Sequence, residues 1–197
     1  MALDLLDLLS PRRGHFRLES GHHGDLWLDL DGLLHQPARL APVIAVLGDR
    51  LAAHDVDAVC GPLTGGAFVA FAIAARLDLR MFPAERFSDA RGVRYRVPAP
   101  LRPRVAGARV AIIDDVINAG SAVRATCADL RSCGAEVRVL GALAVLGSHA
   151  SRLGLPLEAV QAIDNTLWLP AECPLCNAAG LPLEDLTPGA TGAAPES

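Results

Sequence analysis

Residues 110–122 read Val110-Ala111-Ile112-Ile113-Asp114-Asp115-Val116-Ile117-Asn118-Ala119-Gly120-Ser121-Ala122. The stretch combines an apolar run typical of a buried β-strand, two consecutive acids, and a turn of small residues that leads into a helix. Backbone N–H groups at a helix N-terminus lack intrahelical acceptors, and the helix dipole is positive there, so this turn suits a phosphate dianion. The pattern therefore predicts an anion site where a strand gives way to a helix.

The two acids predict a sugar site beside the phosphate site. A phosphate would repel the carboxylates of Asp114 and Asp115 if they pointed at it, but ribose hydroxyls one sugar length away can donate hydrogen bonds to them. We therefore expect a ribose 5-phosphate to be bound by Asp114, Asp115, Asn118, Ala119, Gly120, Ser121 and Ala122. The alternative is a strand end with solvated acids and an ordinary Asn-containing turn.

The flanking sequence alternates apolar segments with helical periods. Helices are predicted over residues 36–54, 65–77 and 121–132, and strands over 56–60, 79–82, 109–113 and 137–145. Such alternation favours an α/β fold with a mostly parallel central sheet, helices on both faces, and ligands at the carboxyl ends of the strands.

A second Gly-bearing turn follows another predicted strand and reads Gly61-Pro62-Leu63-Thr64-Gly65-Gly66. Gly65 and Gly66 remove side chains where the strand turns into a helix, which lets backbone donors approach an anion closely. An ordinary Gly-rich connection is the alternative. Together, the two turns predict two anion sites on one crevice.

Composition points to small-molecule chemistry in a single domain. The chain has 197 residues, 51% of them apolar, and a formal net charge of −4, which favours neither nucleic acid nor an anionic membrane as a partner. No apolar run reaches the roughly 18–20 residues of a membrane span, and the N-terminus lacks the pattern of a signal peptide. We therefore expect a cytoplasmic protein with reduced thiols. Residues 187–197 predict a disordered tail.

Four segments resemble orotate phosphoribosyltransferases, which are type I phosphoribosyltransferases. Residues 14–25 (GHFRLESGHHGD) are similar to their GHFxLxSGxHS motif, residues 61–66 to their pyrophosphate loop, and residues 110–122 to the ribose-phosphate signature, which usually has Thr in place of Asn118. Residues 173–176 (CPLC) with 180–184 resemble the C-terminal region of one bacterial branch. The resemblance spans roughly residues 12–186. It implies the type I phosphoribosyltransferase fold as one domain over 1–186, with a small hood from about 1–35 and 164–186.

The resemblance implies a reaction as well as a fold. In that family, a ring nitrogen displaces pyrophosphate from 5-phosphoribosyl-1-pyrophosphate (PRPP), and catalysis consists largely of holding the reactants and neutralising the leaving group. With orotate as acceptor, the products are orotidine 5-phosphate and pyrophosphate, in pyrimidine nucleotide biosynthesis. Mg²⁺ is expected to arrive with PRPP near Asp114 and Asp115, without dedicated protein ligands. The expected pyrophosphate-binding residues are Pro62, Leu63, Thr64, Gly65, Gly66 and Arg86.

All eighteen basic residues are Arg, including six between residues 85 and 104. In the family, a lid at this place supplies cations to the pyrophosphate, often across a homodimer, and relatives use Lys there. We therefore expect Arg86 and Arg91 to be catalytic, although Arg is not a neutral replacement for Lys at a phosphate site. A solvated basic loop is the alternative.

The acceptor base is the least determined part of the prediction. Orotate enzymes usually carry an Asp-Arg pair where this chain reads Val145-Leu146-Gly147-Ser148-His149, and that Arg contacts the orotate carboxylate. Base-binding candidates are His22, His23, Trp27 and His149, although such histidines are also commonly structural. A different heterocyclic acceptor stays open, as does a non-catalytic regulator that senses PRPP, which the absence of Lys favours.

Cys173 and Cys176 have the spacing of half a zinc knuckle, but no second pair follows them in the sequence. A site completed by His149 or Cys60 is one alternative. The sequence favours free thiols packed beneath the hood.

Overall fold

The computed structural model describes residues 5–18, 20–89, 92–147, 154–177 and 181–185. These residues form two β-sheets, with helices packed on the larger one. The predicted tail at 187–197 lies outside the described residues. Within them, no helix is both long and apolar enough to span a membrane.

The larger sheet has six strands and carries the predicted α/β architecture. Its members are β3 (Ala58–Pro62), β4 (Arg80–Asp89), β5 (Gly92–Arg96), β6 (Arg109–Ile117), β7 (Glu136–Leu146) and β8 (Leu157–Ile163). The strand order is β5-β4-β3-β6-β7-β8, and every neighbouring pair is parallel except β4 and β5. The predicted mostly parallel sheet is confirmed.

Helices cover both faces of this sheet. They are α1 (Asp31–Leu34), α2 (Pro37–Leu51), α3 (Gly65–Leu77), α4 (Arg102–Val105) and α5 (Ser121–Ser132). Consecutive residues of β6 show the two faces, because side chains alternate along a strand. Ile113 packs in the cluster of α2 and α3, with Leu47 and Ile73, whereas Ile112 packs with Leu130 of α5. All five side chains are fully buried.

The smaller sheet has four strands and is called the hood sheet here. It consists of β1 (Ser10–Arg17), β2 (His23–Asp29), β9 (Leu167–Trp168) and β10 (Leu183–Asp185), in the order β10-β1-β2-β9. The β1–β2 hairpin is antiparallel, β10 pairs in parallel with β1, and β9 pairs with the start of β2. The hood thus joins the N-terminal and C-terminal regions, as predicted.

Two strands continue four or more residues past their predicted ends. β6 continues four residues past the predicted end at Ile113, since Val116 and Ile117 pair with Ala144 and Val145 of β7, so the acid pair belongs to the strand. β4 continues to Asp89 and pairs antiparallel with β5. The Arg-rich stretch is therefore a β-hairpin up to Arg96, because its aromatic and β-branched residues support strand pairing despite the charges.

Candidate functional site

A cleft of about 230 Å³ opens where β3 and β6 end beside each other. Both predicted Gly-bearing turns line it, because parallel strands bring their carboxyl ends to one edge of the sheet. The lining residues are Leu18, Ser20, Pro62, Leu63, Thr64, Gly65, Gly66, Tyr95, Asp114, Asp115, Val116, Ile117, Asn118, Ala119, Gly120, Ser121 and Ala122. The structure thus brings together every residue predicted for the ribose-phosphate turn and the loop at 62–66.

The turn at 118–122 has the shape of an anion-binding helix start. Gly120 precedes α5 with a φ of 74°, a left-handed conformation that favours glycine. A side chain of α5 stabilises the turn, because the Arg124 guanidinium donates a hydrogen bond to the carbonyl oxygen of Ala119 at 2.7 Å. The side-chain oxygen of Asn118 is buried and accepts no hydrogen bond from the described residues. The cleft therefore contains a polar acceptor that a bound ligand can satisfy.

The acid pair is oriented by its own backbone. Oδ1 of Asp114 accepts a hydrogen bond from the N–H of Asp115 at 3.1 Å, and Oδ1 of Asp115 accepts one from the N–H of Val116 at 2.8 Å. Asp114 is largely buried, with 7% of its surface exposed. These contacts hold both carboxylates in defined positions at the cleft, which is the preorganisation that recognition of vicinal hydroxyls requires.

The glycines of the loop at 61–66 allow it to pack directly on the acid pair. A Cβ atom on Gly66 would lie 2.7 Å from Oδ1 of Asp114, and one on Gly65 would overlap Oδ2 of Asp115. The peptide bond between Leu63 and Thr64 in this loop is cis. The acid pair therefore lies between the two predicted anion sites and is in contact with the loop at 61–66.

A second cavity of about 190 Å³ adjoins the first beneath the hood sheet. It is lined by Leu18, Leu26, Trp27, Leu28, Leu30, Asp115, Val116, Asn118 and Leu146. Four of these residues, Leu18, Asp115, Val116 and Asn118, also line the cleft. A slot lined by an indole, several leucines, Asp115 and Asn118 thus lies next to the acid pair, a suitable place for a heterocyclic base.

The predicted base-binding residues separate into different environments. Trp27 lines the second cavity, whereas neither His22 nor His23 lines it or the cleft. Nδ1 of His22 lies 3.2 Å from the Ser20 hydroxyl. His23 is buried, and burial lowers its pKa, aided by the nearby charges of His15 and Arg17. His149 lies outside the described residues.

Of the two arginines predicted for the lid, the structure describes one, Arg86. Arg86 lies on β4 opposite Tyr95, and it is Tyr95 that lines the cleft. Arg91 lies outside the described residues. Next to the cleft, an Arg-rich groove of about 540 Å³ runs between β5 and α5, and Tyr95 and Ser121 line both spaces. The cationic side chains of this groove are Arg94, Arg96, Arg102 and Arg124.

Five lining residues were missed by sequence reasoning, namely Leu18, Ser20, Tyr95, Val116 and Ile117. Leu18 and Ser20 belong to the turn that joins β1 to β2, where Gly21 donates its N–H to the Leu18 carbonyl at 2.8 Å. Their position next to the acid pair depends on how the hood sheet sits over the larger sheet. The sequence did contain a signal for Tyr95, because the chain's one tyrosine lies within an Arg-rich stretch.

Comparison with known proteins connects this geometry to a family. The sequence model of the phosphoribosyl transferase domain matches residues 29–164. The orotate phosphoribosyltransferase of Thermotoga maritima is 30% identical over 179 residues, with 91% of each chain covered. That of Desulforamulus reducens is 31% identical over 169 residues, covering 86% of this chain and 85% of the relative. The crystal structure of orotate phosphoribosyltransferase from Aeropyrum pernix matches with a TM-score of 0.63 at 26% identity, covering 81% of this chain and 92% of the other.

Proposed function

Because the chain belongs to the phosphoribosyl transferase family, we propose that it transfers ribose 5-phosphate from PRPP to orotate, giving orotidine 5-phosphate and pyrophosphate. The observation that carries this proposal is the shared cleft in which the turn at 118–122, the acid pair and the loop at 62–66 meet. Orotate is favoured as the acceptor by the curated relatives of similar length. The reaction belongs to pyrimidine nucleotide biosynthesis, and we place it in the cytoplasm.

We assign each of the three parts of PRPP to a part of the cleft. The 5-phosphate is assigned to the backbone donors and the Ser121 hydroxyl at the start of α5, and the ribose hydroxyls to the carboxylates of Asp114 and Asp115. The pyrophosphate is assigned to the loop at 62–66, where the glycines let the backbone approach the anion. The acid pair touches this loop, so the ribose and its leaving group are held against each other.

The chemistry needs positioning more than a nucleophilic side chain. The bond from C1 of the ribose to pyrophosphate breaks with its electron pair going to pyrophosphate, a bond from C1 to the ring nitrogen forms, and the nitrogen loses its proton. Positive charge develops on the sugar during the transfer, and the carboxylates beside the ribose are placed to stabilise it. The hood sheet over the second cavity holds the base next to this carbon and excludes water.

Mg²⁺ is the cofactor we propose. Asp114 and Asp115 offer the carboxylate oxygens that this hard cation prefers, in a cleft that also accepts polyphosphate. When bound with PRPP, the ion acts as a Lewis acid on the leaving pyrophosphate.

The base is assigned to the second cavity, which Trp27 lines. Base and aromatic rings stack favourably, and this slot continues into the cleft through Asp115 and Asn118. Candidates for the orotate carboxylate are His22, whose Nδ1 lies 3.2 Å from the hydroxyl of the cleft residue Ser20, and His149, which lies outside the described residues. We also propose that Arg86 of β4, together with Arg91, which lies outside the described residues, supplies positive charge to the pyrophosphate as part of a lid.

A homodimer is the assembly we propose, with α3 as its contact face. Phe68 and Phe71 lie one helical turn apart, and they are 57% and 68% exposed. Large aromatic side chains exposed side by side are typical of interaction surfaces. The first turn of α3 lines the cleft, so a contact there would place the partner subunit near the active site.

A PRPP-sensing regulator is the second candidate, favoured by the complete absence of Lys from the chain. The deciding experiment incubates pure protein with PRPP, Mg²⁺ and, separately, orotate, uracil, adenine or hypoxanthine, and follows pyrophosphate release. We expect pyrophosphate release with orotate and with none of the other three bases. Release with another base would reassign the acceptor, and tight PRPP binding without release for any base would identify a sensor.

A further inference from the structure

Four side chains outside the proposed active site converge on the hood sheet, namely His15, His23, Cys173 and Cys176. Each residue offers one possible ligand atom, a ring nitrogen or a sulfur, and these four atoms all lie within 4.8 Å of one another. His15, His23 and Cys173 are each only 3% exposed, and Cys176 lies at the surface. Two imidazoles and two thiols packed around one point are the donors of a common protein metal site.

The fold assembles this cluster from three separate places. β1 provides His15, β2 begins with His23, and the segment between β9 and β10 provides the cysteines. Short 3-10 turns at 170–172 and 174–177 flank Cys173, and the N–H of Cys176 donates to the Cys173 carbonyl at 3.3 Å. This tight turn brings both sulfurs to the same side, as a C-x₂-C ligand pair requires.

The distances within the cluster match one tetrahedral ion. Zn–N distances of about 2.0 Å and Zn–S distances of about 2.3 Å imply about 3.3 Å between two nitrogens and about 3.6 Å between nitrogen and sulfur. Here Nε2 of His15 lies 3.0 Å from Nδ1 of His23. The Cys173 sulfur lies 3.4 Å from Nε2 of His15, and the Cys176 sulfur lies 3.8 Å from the same atom and 3.3 Å from Nδ1 of His23.

An independent contact fixes the required tautomer of His15. Its Nδ1 lies 3.3 Å from the carbonyl oxygen of Leu181, which can only accept a hydrogen bond. Nδ1 therefore carries the proton, and the lone pair is on Nε2, the atom that faces the two cysteines. Metal-bound histidines in proteins are typically oriented by such a hydrogen bond from the second ring nitrogen to a carbonyl or carboxylate.

We propose that His15 and His23, with the thiolates of Cys173 and Cys176, bind one zinc ion in a closed structural site. Two thiolates and two neutral imidazoles balance the ion's charge, and four protein ligands leave no position open for substrate. A two-iron cluster with two histidines on one iron and two cysteines on the other would separate the nitrogens from the sulfurs. The short nitrogen–sulfur distances here exclude that geometry.

The zinc ion fastens the C-terminal segment to the β1–β2 hairpin. That hairpin supplies Trp27 to the second cavity, and the turn after β1 supplies Leu18 and Ser20 to the cleft. The strands that pair this segment with the hairpin are short, since β9 has two residues and β10 has three. A metal cross-link would therefore add to a limited strand pairing. The ion thus stabilises the hood, and this role does not depend on which base the enzyme uses.

Elemental analysis of the full chain, purified without a histidine tag and dialysed against metal-free buffer, tests the site. We expect one zinc per chain. Apo-protein titrated with Co²⁺ should develop tetrahedral ligand-field bands and a thiolate-to-cobalt charge-transfer band, saturating at one equivalent. Absence of stoichiometric zinc together with absence of these bands would overturn the proposal, as would an intact mass showing a Cys173–Cys176 disulfide under reducing conditions.

Matched variants assign the ligands. Cys173→Ser and Cys176→Ser should lose the stoichiometric zinc and the charge-transfer band, whereas Cys133→Ser, outside the cluster, should keep both. Cys176 is at the surface, so its variant tests the ligand even if Cys173→Ser fails to fold. Equal zinc retention by Cys176→Ser and Cys133→Ser would remove Cys176 from the site and overturn the four-ligand proposal.

Discussion

Oδ2 of Asp115 occupies the space that a Cβ atom on Gly65 would need. Gly65→Ala should therefore displace either the carboxylate or the start of α3. A shift of about 1 Å in a positioning group can lower activity by roughly a hundredfold, and we expect a loss of that size in kcat/KM for PRPP. Steady-state kinetics with varied PRPP measure it.

Gly48→Ala provides the matched control for this glycine substitution. A Cβ there meets the side chain of Arg76, which is flexible and partly exposed and can move aside. Gly48 lies in α2, away from the residues that line the cleft. Equal activity of the two variants would mean that the contact between Gly65 and Asp115 has no functional role.

The acid pair itself gives a sharper prediction. Asp115→Asn preserves the shape but removes the charge that accepts hydrogen bonds from the ribose hydroxyls. Hydrogen bonds to charged groups contribute about 1.5–3 kcal/mol, so PRPP affinity should fall roughly tenfold to a hundredfold. Titration calorimetry with PRPP and Mg²⁺ measures it. The surface variant Asp49→Asn is the control, and unchanged affinity of Asp115→Asn would remove the acid from the ribose site.

The elements around the cleft were predictable where local sequence fixes them. α3 runs over Gly65–Leu77 and α5 over Ser121–Ser132, the predicted bounds in both cases. α5 is indicated by a helical apolar period after the small residues of its turn, and α3 by a run of mostly small apolar residues after Gly65 and Gly66. Strand ends were less predictable, because β6 continues past Ile113 only through its pairing with β7.

Tertiary contacts explain what the sequence did not reveal. Cys173 and Cys176 lacked a second ligand pair in the sequence near them, and the pair is provided by His15 and His23, more than 140 residues earlier. Cys60, one candidate raised from the sequence, is buried in β3 and does not belong to this cluster, whereas His149 lies outside the described residues. The pairing of β10 with β1 and of β9 with β2 brings the segment that carries the cysteines next to the two histidines.

Trp27 provides a test of the base site. Stacking of a base on an aromatic side chain contributes about 1–3 kcal/mol, so Trp27→Ala should raise KM for orotate roughly fivefold to a hundredfold. KM for PRPP should change less, because Trp27 lines the second cavity and not the cleft. Trp27→Phe keeps an aromatic face and should retain part of the affinity. Equal effects on both KM values would indicate damage to the hood and not a contact with the base.

The exposed face of α3 predicts the assembly. Phe71→Glu places a charge on the proposed contact face, where burial of an unpaired carboxylate is strongly unfavourable. Light scattering should show a dimer for the wild type and a particle of half that mass for the variant. Arg39→Glu introduces the same residue at an exposed position of α2 and should stay dimeric. A monomeric wild type, or a dimeric Phe71→Glu protein, would contradict the proposed face.

Asp57 predicts a pH-dependent contribution to stability, remote from the cleft, where the amino ends of three parallel strands meet. Burial alone would raise the pKa of Asp57, but hydrogen bonds from Arg80 and Arg109 outweigh it and lower the pKa below 3.8. A carboxylate with a lowered pKa in the folded state stabilises the protein above its unfolded pKa, and this contribution disappears as the pH falls through the folded pKa.

Half-exposed ion pairs contribute about 1 kcal/mol or less, so Asp57→Asn should lower Tm at pH 7 by roughly 1–4 °C. Calorimetry across pH should show this difference shrinking below pH 3.8, whereas Asp49→Asn, whose pair with Arg76 is more exposed, should show a smaller one. A difference for Asp57→Asn that is constant down to pH 2 would mean that the variant acts through packing and not through its charge.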